Sequence, residues 1–341
     1  MSSVNRAGAL IIASDRGFLG NEEIRDVVAE FVAASHAHAE LVLVTGEQTQ
    51  GRLDDAIGAF HESGIQEIVV LPLFLSDHNP RLTAAREMLS DYEGIEWAAP
   101  FGESYLAVDM LAERLRSMEK LNRHHTILTG YGAETPEDRA AMEADLDRLL
   151  EQASAGIDIR TAQSQVWYVF GVEGEKEKRG EVTKDMVGVM LRPGRTAIVP
   201  FNLSMKLDSM MSMNGFMQQF LPDRIQFTES ELLPHPAVAI WMERELNRAT
   251  MTMDDLGVVF LAHGADYDWN QTMRDAAESL SESYRMEFAF SMADPPVVER
   301  AIHKLDERGA KAIVVVRVFG MSSSFLPTVH RMLGMDIEAQ G

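Results

Sequence analysis

Two histidines sit where an α/β chain would place its chemistry. In open parallel sheets, ligands bind beyond the carboxyl ends of the strands. His263 directly follows an apolar run, 258–262, and precedes Gly264. His78 lies a few residues beyond another such run, 68–71, in the stretch Ser76-Asp77-His78-Asn79-Pro80. Imidazole titrates near neutrality and binds borderline divalent metals, so metal binding and proton transfer are the chemistry open to these positions. The other strand ends carry Ser14-Asp15, Tyr131-Gly132, Ser204-Met205-Lys206 and Met321 with Ser322 to Ser324. Arg16, Arg81 and Lys206 lie near the same ends. They are candidates for contact with substrate carboxylates, against the default of solvated surface charge.

The elements that must position these residues are repeated. Residues 56–74 read AIGAFHESGIQEIVVLPLF and residues 301–319 read AIHKLDERGAKAIVVVRVF, with eight of 19 aligned positions identical. Each is a helical stretch, a glycine and a β-branched run. Gly64 and Gly309 suit the left-handed position after a helix, and the runs suit strands buried on both faces. Such a repeat means copies of one α/β unit. Three are expected: 1–120, 121–250, and a short 251–341 without the last strand and helix of the first. The stretch 171–181 is expected to be a solvated loop, and Asn21 to cap the first helix. The first two copies are expected to face each other across a cleft. The third then lacks an internal partner, which makes a homo-oligomer through that copy plausible.

Composition narrows the function. The 341 residues suffice for two or three domains and contain no Cys, which excludes disulfides, thiolate metal sites and Cys nucleophiles. The net charge of −22 argues against nucleic acid as a partner. No run is long and apolar enough to span a membrane, and the first residues lack a signal-peptide core, so a cytoplasmic location is the expectation.

The stretch VVFLAHGADYDWN (258–270) resembles the opening of the sirohydrochlorin chelatase family, the class II, CbiX-type chelatases. That family opens on a strand, His-Gly, a polar loop and a helix. VLPLFLSDHNP (70–80) resembles its third strand and the second histidine beyond it, with His78 in or near that position. PFGESYLAVDMLAERL (100–115) resembles its closing segment. The similarity covers the first and third copies and, more weakly, the second. It implies tandem flavodoxin-like, doubly wound parallel-sheet units of the class II chelatase type. It also implies insertion of Co²⁺ or Fe²⁺ into a tetrapyrrole such as sirohydrochlorin, in cobalamin- or siroheme-type biosynthesis. His263 and His78 would then be the catalytic residues and metal ligands, with neutral imidazole accepting a pyrrole N–H proton. The divalent metal is a substrate, and no organic cofactor is expected.

The chain departs from that pattern. The family normally carries both histidines in one half, whereas here the first copy has His78 with Ser14 and the third has His263 with Ser322 to Ser324. The second has Tyr131 and Met205/Lys206. Either the two histidines meet across an interface between copies, or the sites are degenerate. The alternative is a non-catalytic homologue that binds a tetrapyrrole or metal, or serves as a scaffold. An unrelated flavodoxin-like binding module has no support from GxGxxG or GxxxxGK[ST] motifs.

Other features have plainer readings. Asp266, Asp268 and Asn270 resemble the start of an EF-hand loop, but Gln271 and Ala277 stand where Gly and Glu are needed, so helix capping is expected. The Met-rich stretch 205–217 suits packing or contact with a flat tetrapyrrole more than metal ligation. His124 and His125 are expected at the surface, at the amino end of a strand, and His235 in a turn.

Overall fold

The computed structural model describes residues 7–46, 48–203, 224–227, 232–321 and 325–333. Ser204, Met205, Lys206, the Met-rich stretch and Ser322 to Ser324 lie outside the described residues.

Three parallel sheets follow one another along the chain. The first contains β1 (Gly8–Ser14), β2 (Ala39–Val44), β3 (Ile68–Leu73) and β4 (Ile95–Trp97), with α1 (Gly17–Ser35), α2 (Thr49–Glu62), α3 (Pro80–Leu89) and α4 (Tyr105–Ser117) after successive strands. The second contains β5 (His124–Ala133), β6 (Thr161–Tyr168), β7 (Arg195–Pro200) and β8 (Ile225–Phe227), with α5 (Pro136–Ala153), α6 (Glu175–Met190) and α7 (Pro236–Thr250). The third contains β9 (Leu256–Ala262), β10 (Arg285–Phe290) and β11 (Ala312–Val318), with α8 (Tyr267–Ala276), α9 (Glu278–Ser281), α10 (Pro295–Glu307) and α11 (Leu326–Met332). Their orders are β2-β1-β3-β4, β6-β5-β7-β8 and β10-β9-β11. Each places its first strand in the centre, its second on one side and its third on the other. Helical crossovers make the strands parallel. The first two sheets share one compact unit, Met1–Leu246, and the third lies in another, Asn247–Gly341.

The repeat seen in the sequence reappears in the hydrogen bonds. After α2, Gly64 has φ +76° and the Ile65 N–H donates to Phe60 O at 2.9 Å. After α10, Gly309 has φ +78° and the Ala310 N–H donates to Leu305 O at 3.0 Å. Both helices thus close with the same left-handed turn, which aims the chain into β3 and β11. Every residue of β3 is buried, and Leu10, Ile12 and Val70 pack with Leu53, Ile57 and Phe60 of α2. Each such side chain contributes about 1.5–3 kcal/mol by leaving water. β11 is barer, with Val314 and Val316 exposed.

Three expectations are corrected. First, the helix expected to open at Asn21 begins at Gly17, and Asn21 lies within α1. Its side chain still serves the turn, accepting from the Arg16 N–H and donating to Asp15, both at 2.9 Å. Second, the stretch expected to be a loop at 171–181 enters α6 at Glu175. Its acids sit in the first turn, where the helix dipole favours them, and Val182, Met186 and Val189 form a buried stripe. Its cations are engaged too. Arg179 donates to Tyr168 O at 3.1 Å and stacks 4.1 Å from the Phe170 ring, and Lys178 donates to Glu134 O at 2.9 Å. Third, His124 and His125 are buried within β5. Their Nδ1 atoms bond to Lys120 O at 2.6 Å and Thr161 Oγ1 at 2.7 Å, which satisfies them inside the protein.

A carboxylate ties the amino end of the central strand of the third sheet to that of its neighbour β11. Asp255, just before β9, accepts from the Thr252 N–H at 3.0 Å and pairs with Lys311 at 3.0 Å. The Thr252 N–H, followed by the Lys311 ammonium, holds its carboxyl at about 2, against an ordinary 3.8. A depressed carboxyl stabilises the fold above its unfolded value, and that stability is lost as pH falls through the folded one. Wild type is therefore expected to exceed Asp255→Asn by about 1 kcal/mol near neutral pH, with the difference vanishing between pH about 4 and about 2. Urea melts at stepped pH check this, and a difference independent of pH would contradict it.

Candidate functional site

The loop after β3 is fixed by its own polar side chains. Asn79 caps α3, its Oδ1 accepting from the Arg81 N–H at 3.0 Å, and Pro80 occupies the first turn. His78 immediately precedes this cap, and its backbone N–H donates to Ser76 Oγ at 3.1 Å. Its ring reaches α5, which packs on the second sheet. His78 Nδ1 lies 2.9 Å from Asp145 Oδ2, and Ser76 Oγ donates to the same oxygen at 2.6 Å. A carboxylate only accepts, so Nδ1 carries a proton, and in the neutral imidazole the lone pair is then on Nε2. The His78 side chain is 57% exposed and that of Asp145 is 8% exposed. The carboxylate is thus enclosed while the imidazole is open to a ligand.

Asp145 escaped the sequence reading because α5 is rich in acids. The signal was there: Met142, Leu146 and Leu149 recur at helical spacing, and Asp145 falls on their buried stripe. Arg148, 3.4 Å away, helps to offset the cost of burying the charge.

His263 directly follows β9 in the other compact unit and is exposed. Its Nδ1 lies 3.0 Å from Gly264 O. A carbonyl also only accepts, so in the neutral form of this ring too the lone pair is on Nε2. Gly264 has φ +68°, and a Cβ there would press on Phe290 at 3.1 Å. Asp266 then caps α8, accepting from the Trp269 N–H at 2.9 Å, and Asn270 accepts from the Ala265 N–H at 3.1 Å. These bonds accord with the capping reading of DYDWN. Among the described residues, no three His, Cys, Asp or Glu side chains converge as a metal site.

The remaining candidates divide. Arg81 donates to the carbonyls of Asp15 at 3.0 Å and Val44 at 3.3 Å, so it clamps the ends of β1 and β2 together. Asp15 is turned toward Gly17 and Asn21. Burial pushes its carboxyl up, but those bonds and the Arg52 and Arg81 guanidiniums outweigh it and hold the group below the ordinary value. Arg16 lines a cavity of about 40 Å³ between the carboxyl ends of the first two sheets, together with Ser14, Ser76 and Tyr131. His235 accepts from the Ala237 N–H at 3.1 Å at the start of α7.

The family described as CbiX matches residues 18–118 and 257–329, just over half of the chain. The chain belongs to the CbiX family. Membership makes it a chelatase-type protein, and both His78 and His263 fall inside the matched segments. The second sheet falls outside them, although its strand order repeats that of the first. No curated protein matches the chain. Among solved structures, it is similar to SirB from Bacillus subtilis with Fe³⁺, at 15% identity and TM-score 0.48, over 82% of this chain and 99% of that one. It is also similar to the sirohydrochlorin chelatase SirB from Bacillus subtilis subspecies spizizenii in complex with cobalt, at 18% identity and TM-score 0.48, over 72% and 95%. Neither alignment supports a transfer of residue roles. Among the described residues, no helix is long and apolar enough to cross a membrane.

Proposed function

We propose that this CbiX-family chain inserts Co²⁺ or Fe²⁺ into a tetrapyrrole such as sirohydrochlorin, with His78 and His263 as metal ligands and proton acceptors. The observation that carries the reading is His78 in a family-matched segment, its side chain exposed and its Nδ1 bonded to the buried carboxylate of Asp145. An outer carboxylate of this kind fixes the ring's tautomer and raises its basicity as a ligand. His263, on its strand-end loop, likewise carries its lone pair on Nε2 in the neutral form.

Insertion exchanges one M²⁺ for two pyrrole N–H protons. The imidazole first holds the metal through Nε2. As the macrocycle nitrogens take the metal over, that lone pair is released and can accept one proton, and solvent takes the other. The metal is a substrate in this scheme, so the protein needs to bind it only weakly.

The test is an absorbance assay with purified protein, sirohydrochlorin and Co²⁺ or Fe²⁺, beside a control without protein. Repeated turnover of the tetrapyrrole spectrum is the expected result. A bound-ligand spectrum without turnover would replace this reading with that of a non-catalytic binding homologue, for which the divided histidines are the motive.

A further inference from the structure

We propose that the cavity between the first two sheets is a carboxylate-binding subsite with Arg16 as its cation. Arg16 stands on the turn after β1, and its guanidinium stacks 4.7 Å from the Tyr131 ring of β5. The ring shields one face of the cation while the residue lines the cavity. No ion pair joins Arg16 to a carboxylate among the described residues. The adjacent Asp15 accepts from Gly17 and Asn21 through Oδ1 instead. None of the described cavity-lining residues is acidic.

Arg16 is only partly buried, but a cation in a cavity without a counter-ion is still unexpected in a chain of net charge −22. Burial, with Arg81 adding to it, lowers the Arg16 guanidinium to about 10 against the opposing pull of Tyr131, so the group is still charged at neutral pH. Ser14, Asn79 and Asn202 complete the polar lining, with hydroxyl and amide donors able to share a carboxylate's oxygens, while the Ser76 hydroxyl is already given to Asp145. At about 40 Å³ the space admits a few atoms and no ring system. It suits the end of one carboxylate arm, held while the rest of the ligand stays outside. Because Ser76 also donates to Asp145, the arm would be anchored one residue pair from His78.

The subsite deepens the chelatase reading but is testable without it. Calorimetric titration of the full chain with glutarate, beside the uncharged glutaramide at the same ionic strength, reads the site directly. Wild type is expected to bind glutarate saturably and in preference to glutaramide, and Arg16→Gln to bind it at least about tenfold more weakly. His78→Ala is expected to keep glutarate binding even where metal insertion is lost, so the two ideas fail separately. Equal affinity in wild type and Arg16→Gln, or no preference for the charged ligand, would overturn the subsite. If Arg16→Gln does not fold, Asn202→Ala decides: several-fold weaker glutarate binding is expected, and unchanged binding would count against the site.

Discussion

Asp145→Asn is expected to preserve the fold and to slow metal insertion by about 10- to 100-fold. The substitution keeps the shape of the side chain and removes its charge. The amide can still accept from one donor, so the packing of α5 around Met142, Leu146 and Leu149 has no reason to change. On the proposed role of His78, the lost charge is what would make Nε2 a better ligand, and the amide can also rotate to offer an N–H where the ring needs an acceptor. The measurement pairs initial rates of insertion with thermal unfolding and with the visible spectrum of bound Co²⁺. Slower insertion and an altered Co²⁺ spectrum at an unchanged melting temperature would mark a positioning role. Wild-type rates would remove Asp145 from the account.

Gly102→Ala is expected to destabilise the first compact unit by about 3 kcal/mol and to depress insertion with it. Gly102 lies in the segment PFGES before α4, and its N–H donates to Phe74 O at 2.9 Å. A Cβ at this position would overlap the carbonyl of Leu75. The obstacle is backbone, which cannot swing aside as a side chain can. Leu75 directly precedes Ser76, so any relief displaces the loop that holds His78 against Asp145. Chemical denaturation and the His78 imidazole signals in NMR report the two effects. Wild-type stability with an unmoved His78 would show that this close approach does not set the loop.

Much of the fold was legible because each sheet's logic is local. Apolar runs such as 68–71, a glycine stop and a helix of the right length specify a parallel unit, and the 56–74 and 301–319 stretches repeat all three. The second sheet shows the limit. Its sequence has drifted outside the family match while its order β6-β5-β7-β8 persists, since many apolar side chains satisfy the same buried strand. Charge misled where it does tertiary work. Lys178 and Arg179 read as solvated because a sequence cannot show the carbonyls of Glu134 and Tyr168 that they bind. His125 reads as a surface residue for the same reason, since its partners Thr161 and Pro193 lie on other segments, while His124 bonds to Lys120 O only four residues back.

The candidate site was half legible. His78 and His263 follow from strand-end logic and stand on strand-end loops, each with its lone pair on Nε2 in the neutral form. Asp145 and the cavity at Arg16 arise only when two sheets meet, 67 residues separating Asp145 from His78 in the chain. Contacts of that separation leave no short motif to read.

The most direct test of the central claim is the initial rate of Co²⁺ insertion into sirohydrochlorin by wild type, His78→Ala and His263→Ala, each confirmed folded by circular dichroism. Wild type is expected to turn over well above the protein-free rate, with each alanine variant slowed by about a hundredfold or more, as general acid–base groups and their ligand role would predict. Insertion by both alanine variants at the wild-type rate would contradict the account, and no protein-dependent insertion by wild type would reduce the protein to a CbiX-family binder.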